Sequence, residues 1–358
     1  MKRAVAFASV VTCTLLAIAS PASAHSGKAL KASNNRTELV GLVPAVKGVT
    51  VRLIDADTRI ELDCGTHRVV VLGYDGEPYL RVDREGVFEN LRSPATYLNT
   101  SLTGSVPPTI TNPAAAPVWR RVGDGPVVRW HDHALHVPPG QKLGARKIST
   151  WERPLKIDDA TAVIRGRIVT LPARSRAPWL VLGAALTLLV LAGAHLRWRS
   201  VMIACFAVLV VADGARIVGL VAYTPTWLVP RWRVILDAST LSIIGWGMAI
   251  AGTVLLAKRR RFEAAAAAVV SGGVLAVAGG VLELRDLSAA VLGTSLPDVV
   301  ARAVVAIVLG VGVGTSIAGA LALRQGLSTP ARPAPRSDSG PSPEGGTRTM
   351  SPSAPPSG

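Results

Sequence analysis

The sequence predicts an all-β exported domain, an Ig-like β-sandwich, followed by an all-α bundle of five transmembrane helices. Three observations predict this order. The chain starts with a leader typical of exported proteins, alternating apolar and polar runs follow, and long apolar stretches begin at residue 178. The predicted parts are a signal peptide at 1–24, the exported domain at 25–177, the membrane helices at 178–323 and a cytoplasmic tail at 324–358.

The first 24 residues have the layout of a secretory signal peptide. Lys2 and Arg3 come first, an apolar run follows, and a small-residue pattern ends at Ala24. Cleavage after Ala24 leaves His25 as the first residue of the mature chain, with a free α-amine beside its imidazole. The domain that follows is therefore predicted to be extracytoplasmic.

The exported domain has strand patterns throughout. Residues 49–63, VTVRLIDADTRIELD, alternate in polarity around an Asp-Ala-Asp turn, and HRVVVLGY and ATAVIRGRIVTL are β-branched runs bounded by turn residues. Several short strands at this spacing favour a β-sandwich. Residues 91–117 lack the pattern, and we expect a long surface loop there.

Five apolar segments are long enough to span a bilayer, which takes about 20 residues. Basic residues follow the first, third and fifth segments, which favours a cell-membrane protein with a cytoplasmic tail. Small residues between Gly310 and Ala322 allow close helix approach. The segments are Pro178–Leu196, Val201–Tyr223, Val234–Ala257, Ala264–Leu282 and Val299–Leu323.

The net charge of +16 does not indicate a nucleic-acid partner, because the basic residues are scattered or lie beside the apolar segments. The last 30 or so residues are rich in Pro, Ser and Gly and have few large apolar side chains. They cannot bury enough surface to offset the entropy of ordering, so we predict a disordered tail.

Three of the six histidines lie in the short stretch WHDHALH. Alternate side chains of a strand share a face, so we expect His131 and His133 to point the same way, with His136 near them after a change of direction. Two or three converging imidazoles suit Cu, Zn or Ni. The alternative is a hydrogen-bonded strand end, with Asp132, that supports a neighbouring tryptophan.

His25 adds a second reason to expect a metal. Its α-amine and its imidazole can chelate one ion, because an amine with a pKa of about 7.7 is partly deprotonated at neutral pH. With one or two imidazoles of the WHDHALH stretch, these nitrogens form the tetragonal set that Cu(II) favours. The alternative is that His25 is simply the residue left by signal cleavage.

Two further places carry candidate residues. Tyr74 and Glu77 lie in the loop GYDGEPYLR, where Asp75 and Glu77 suggest a hydrolase but have no evident cleft, so a turn with capped amides is the simpler role and no enzyme is predicted. Asp213 and Arg216 are three residues apart in the second apolar segment and share a helix face. They suggest either a transporter or sensor element, or a pair that fixes helix packing.

The segments VVVLGYDGEPYLRVDREGVFENLRSPATYLN and WRRVGDGPVVRWHDHALH resemble those of a family of actinobacterial membrane proteins with GYxGEPYLR, RSPATYLN and WHDHxxH motifs. The resemblance covers about residues 34–180. The family's members are similar in layout to exported copper-handling proteins with an N-terminal histidine, and this implies copper as the metal. A Trp-Met pair usually follows the third histidine in relatives, whereas Val137 and Pro138 stand here, which disfavours Cu(I).

The preferred function is copper(II) binding at the outer face of the membrane by His25, His131 and His133, with His136 nearby, and delivery to a metal-handling partner or to the helices. Two alternatives stay open. One is a non-catalytic envelope protein whose sandwich binds another protein and whose helices are an anchor. The other is a transporter or sensor subunit that uses Asp213 and Arg216.

Overall fold

The computed structural model of the protein describes residues 30–100, 104–107, 110–137 and 148–328. The predicted signal peptide, His25 and residues 329–358 lie outside these ranges. The described residues form a β domain followed by a helical segment, as the sequence predicts.

The β domain consists of two antiparallel sheets that share one apolar core. The larger sheet has the order β1-β10-β9-β4-β5-β6-β7, and the smaller has the order β2-β3-β8. The core joins Ile60 and Trp130 of the smaller sheet to Val71 and Leu155 of the larger one. The strands are Asn35–Val43 (β1), Thr50–Ile54 (β2), Arg59–Asp63 (β3), Val69–Leu72 (β4), Pro78–Asp83 (β5), Gly86–Asn90 (β6), Trp119–Gly123 (β7), Val127–His131 (β8), Ile148–Ile157 (β9) and Ala160–Thr170 (β10).

The Asp-Ala-Asp turn is confirmed between β2 and β3. Asp55, Ala56 and Asp57 all have positive φ angles, between 55° and 60°. The predicted loop at 91–117 contains a short helix that the sequence analysis missed, Pro94–Leu98 (α1). Ser93 caps this helix by accepting a hydrogen bond from the amide of Ala95. A five-residue helix has too little apolar periodicity to be recognised from its sequence.

Four helices of the described residues are long and apolar enough to cross a membrane. The first has 47 residues, about 70 Å at 1.5 Å per residue, which is far more than one bilayer core. Non-helical backbone angles at Arg197 divide it into two arms, which correspond to the first two predicted helices. The helices are Ala177–Tyr223 (α2), Arg231–Ala257 (α3), Arg261–Leu275 (α4, continued by a π-helix at Ala276–Val281) and Asp298–Ser328 (α5).

Helix α5 extends five residues past the predicted end of the helical segment, so the predicted tail begins inside a helix. The stretch between the π-helix and α5, residues 282–297, is not helical and packs under the β domain. There Ser33 pairs with Val291, and the Asn34 side chain accepts a hydrogen bond of 2.9 Å from the amide of Ala290. The β domain is therefore seated directly on one end of the helices.

Candidate functional site

The three histidines of WHDHALH come together at the end of strand β8. His131 is the last residue of the strand, and a single 3-10 turn, His133–Leu135, then reverses the chain and brings His136 back. The ring centroids of His131 lie 5.2 Å from those of both His133 and His136, and the latter two are 5.4 Å apart. The strand alternation predicted for His131 and His133 is not the cause of this proximity, because the turn begins between them.

Backbone carbonyl oxygens orient two of the rings. Nδ1 of His131 lies 2.6 Å from the carbonyl oxygen of Thr58, and Nε2 of His133 lies 2.8 Å from that of Leu98. A carbonyl oxygen only accepts, so these two ring nitrogens carry the hydrogen. The other nitrogen of the His131 ring, Nε2, then presents its lone pair, which is the arrangement that metal-bound histidines commonly have.

Burial lowers the pKa of two of the three histidines, His131 and His136. His131 is only 2 % exposed, and its pKa is lowered by burial, partly offset by the hydrogen bond to Thr58. The pKa of His136 is lowered to about 4, first by burial and then by the neighbouring His131 and His133. Both rings are therefore uncharged at neutral pH, and their lone pairs are not blocked by protons.

Asp132 holds the turn in place and is not a free ligand. Its carboxylate accepts hydrogen bonds from the guanidinium of Arg153 at 2.6 Å, from the amide of Ala134 at 3.0 Å and from the indole of Trp130 at 3.4 Å. Asp132 and Arg153 are both buried. The alternative interpretation of this stretch was a hydrogen-bonded strand end that supports a tryptophan. The structure has such a strand end beside Trp130, and it has the imidazole cluster as well.

Tyr74 joins this site, whereas Glu77 does not. The hydroxyl of Tyr74 accepts a hydrogen bond of 3.1 Å from the amide of His133 and donates one of 2.7 Å to Oδ1 of Asn99. Glu77 is buried in its own loop, where it accepts a hydrogen bond from the amide of Asp75 and contacts the hydroxyl of Ser93. Glu77 thus has the turn-capping role that the sequence suggested as the simpler one.

A tryptophan from the helical segment completes the surroundings of His131. Trp227 lies in the short connection between α2 and α3, and its ring stacks on His131 with centroids 5.2 Å apart and an interplanar angle of 29°. The guanidinium carbon of Arg59 lies 5.4 Å from the same indole. Trp227 was not among the site residues predicted from the sequence, because a tryptophan between two membrane helices ordinarily indicates an interfacial anchor.

A cavity of about 360 Å³ opens beside the stacked pair. Its lining includes polar side chains from both parts of the chain, among them Arg59, Asn99, His131 and Trp227. Within the described residues, Nε2 of His131 and Nε1 of Trp227 are buried atoms without a hydrogen-bond partner. Among the described side chains the indole nitrogens of Trp151, Trp198 and Trp246 are in the same state, so it is not particular to this cavity.

The ring nitrogens that could ligate a metal do not converge on a single position. Among the residues that the structure describes, no three His, Cys, Asp or Glu side chains are arranged to hold a metal ion. The ring separations do not by themselves make a metal site, and a shared ion would require the rings to turn from the positions they have here. His25, the other predicted ligand, lies outside the described ranges.

Asp213 and Arg216 form the predicted ion pair inside the helical segment. Arg216 donates to Oδ1 of Asp213 at 2.9 Å, and it also reaches Glu283 at 3.2 Å and the carbonyl oxygen of Ala238 at 3.3 Å. Asp213 is fully buried, and its second carboxylate oxygen has no partner in the described part of the chain. The pair therefore joins α2, α3 and the end of the π-helix.

Fold and site together define a membrane protein in which a β-sandwich domain carries a partly buried imidazole cluster against a loop of its helices. Comparison of the chain with protein-family models, with curated proteins and with solved structures gave no match. The function therefore has to be inferred from the geometry of the site.

Proposed function

We propose that this protein binds Cu(II) at the outer face of the cell membrane, through the imidazoles of His131, His133 and His136 together with the α-amine and imidazole of His25. The observation that carries this proposal is the mutual approach of the three rings. Ligand nitrogens bind such ions at about 2 Å, which puts the centroids of two coordinating rings roughly 5 Å apart. The observed separations of 5.2 and 5.4 Å already have this size.

The donor chemistry suits a metal ion that takes nitrogen ligands. The three side chains that meet are imidazoles, and the nearest carboxylate, Asp132, is neutralised by Arg153. The hydrogen bond to Thr58 holds the His131 ring in one tautomer, which leaves Nε2 as the nitrogen that would ligate an ion. A nitrogen set completed by an N-terminal chelate is a tetragonal environment of the kind that Cu(II) favours.

The orientation is part of the proposal. A cleaved signal peptide and the basic residues after α2's first arm, α3 and α5 put the β domain outside the cell. The histidines then lie where the β domain meets the outer ends of the helices, so copper captured outside is presented to the helical segment or to an envelope partner.

The test uses the full-length protein, exported and processed by the cell, in detergent micelles or nanodiscs. We expect Cu(II) titration to give one equivalent of a tetragonal, nitrogen-ligated signal in electron paramagnetic resonance. His131→Ala and His133→Ala should each abolish that signal. The matched control is His67→Gln, which changes a histidine of the same domain that hydrogen-bonds Asp158 outside the cluster.

A second variant isolates the role of His25. One extra residue before His25 removes the chelate formed by its amine and ring, so we expect weaker binding with fewer nitrogen ligands. An unchanged signal would exclude His25 and leave the three clustered imidazoles as the site. Absence of a stoichiometric signal in the wild-type protein would contradict copper binding and favour the envelope interaction protein.

The transporter alternative is supported by the buried Asp213, whose second carboxylate oxygen has no partner in the described part of the chain. It predicts that Asp213→Asn stops transport of copper into vesicles while the copper signal of the β domain persists. Equal flux in the two proteins would eliminate this alternative.

A further inference from the structure

We infer that the far end of the helices, opposite the β domain, holds a binding site for one anionic phospholipid, in which Arg261 binds the phosphate of the headgroup. The site is formed by the end of the first arm of α2, the start of α4 and the end of α5. It is independent of the proposed metal binding and requires only that the helices cross a membrane.

A small cavity opens between these three helix ends. Its volume is about 100 Å³. His195 and Arg261 give its lining a polar side, whereas Leu191 and Leu321 give it an apolar side. Leu321 is 47 % exposed, so the apolar side continues onto the outer surface of the helices. The cavity therefore suits an amphiphile whose headgroup enters it while the acyl chains stay in the bilayer.

Helix length puts the cavity at the level of the lipid headgroups. α4 and its π-helical continuation together have 21 residues, about 31 Å at 1.5 Å per residue, which is the thickness of one hydrocarbon core. Arg261 is the first residue of this span, and Arg197 lies where the first arm of α2 ends. The phosphates of the adjacent leaflet therefore lie at the height of Arg261.

The charge at the far end is complementary to an anionic headgroup. Residues 194–200, 257–263 and 321–325 contain seven Lys and Arg side chains and a single acidic one, Glu263. Glu263 pairs with Arg260 at 2.6 Å. Basic pockets between membrane helices bind the headgroups of anionic lipids, and the cavity beside Arg261 has this character.

Trp198 positions Arg261 for a phosphate. The guanidinium carbon of Arg261 lies 5.7 Å from the centroid of the Trp198 ring, and both side chains line the cavity. A cation–π contact orients the guanidinium plane without using its N–H groups. In the described part of the chain Arg261 forms no ion pair. Its planar fork of N–H donors can therefore bind two oxygens of one phosphate.

The test uses the full-length protein in nonionic detergent micelles, titrated with phosphatidylglycerol and, separately, with phosphatidylcholine. Native mass spectrometry counts the bound lipids. We expect one phosphatidylglycerol to bind more tightly than phosphatidylcholine. Arg261→Gln should lower the phosphatidylglycerol affinity roughly tenfold, the worth of one hydrogen bond to a charged group. The matched control is Arg199→Gln, which removes an exposed positive charge from the same end without changing the cavity lining, and should have a much smaller effect.

Equal losses in Arg261→Gln and Arg199→Gln would overturn the site and leave only a general attraction of basic residues for anionic lipid. Equal affinity of the wild-type protein for the two lipids would also overturn it. Displacement of bound phosphatidylglycerol by glycerol phosphate, which has the phosphate but no acyl chains, would contradict the lipid as the ligand. If Arg261→Gln is recovered misfolded, Ala322→Leu decides alone, because it fills part of the cavity and keeps every charge. A lower phosphatidylglycerol affinity in that variant supports the site, and wild-type affinity contradicts it.

Discussion

Ser33, at the start of the β domain, pairs with Val291 of the helical segment through two backbone hydrogen bonds of 2.9 Å each. Arg174, at the other end of the domain, donates its amide to the carbonyl oxygen of Ser288 at 2.8 Å. Both ends of the domain are thus attached to the same stretch between the π-helix and α5. This double attachment holds the domain in a defined position over the helices, which is what a site shared by His131 and Trp227 requires.

The buried ion pair below the histidine turn should dominate the stability of that region. Replacing Asp132 by Ala leaves the guanidinium of Arg153 buried without its carboxylate, so we expect a loss of about 3–5 kcal/mol in the free energy of unfolding. Chemical denaturation of the β domain in the full-length protein measures this loss. The control is Glu152→Ala, which breaks the exposed pair with Arg165 and should cost less than about 1 kcal/mol. A small effect of Asp132→Ala would show that Arg153 does not depend on this partner.

For the pair of Asp213 and Arg216 we expect a different result, because Asp213 is more deeply buried than Arg216. Arg216→Ala leaves the fully buried Asp213 without its cation, and we expect a loss of roughly 2–4 kcal/mol in stability. The double variant Asp213→Asn with Arg216→Gln removes both charges and should be more stable than the single one. Unfolding in mixed detergent micelles compares the two proteins. A double variant as unstable as Arg216→Ala would show that the unpaired charge of Asp213 is not the cause of the lost stability.

Helices α2 and α5 approach each other closely at a position where each has a glycine. A Cβ atom on Gly310 would lie 2.3 Å from the carbonyl oxygen of Gly183, and the neighbouring hydroxyl of Thr187 donates to the carbonyl of Gly310 at 2.8 Å. Gly310→Ala should therefore push the helices apart and lower the thermal midpoint by several degrees. Gly247→Ala in α3 is the control, since its Cβ meets nothing within 4 Å. Equal midpoints for both variants would contradict the close contact.

His67 should titrate above an ordinary histidine. Its Nδ1 lies 2.8 Å from the carboxylate of Asp158, and this hydrogen bond, with a second one to the carbonyl of Lys47, raises its pKa. The raised value means that the protonated ring stabilises the folded state below the ordinary pKa of about 6.5. That contribution is lost as the pH rises through the raised value. Nuclear magnetic resonance should show the pKa of His67 falling in Asp158→Asn, whereas an unchanged value would mean that the carboxylate has no influence.

Local sequence patterns were sufficient to predict the architecture and some of the residues of the site. The alternating runs predicted the β domain, and the apolar stretches predicted the helices, including the two arms that meet at Arg197. The clustering of His131, His133 and His136 followed from their nearness in sequence. Their orientation did not, because the carbonyl groups that fix it belong to Thr58 and Leu98, in a turn and a helix that the sequence does not connect to them.

The sequence by itself determined which segments form helices apolar enough to cross a membrane and which form a sheet, because hydropathy and alternation act over a few neighbouring residues. Only the tertiary structure decided that Tyr74 reaches the histidines while Glu77 turns back into its own loop. It alone also brought Trp227 of the helical segment onto His131. Such contacts depend on how two separately folded parts pack against each other, and no short stretch of sequence contains that information.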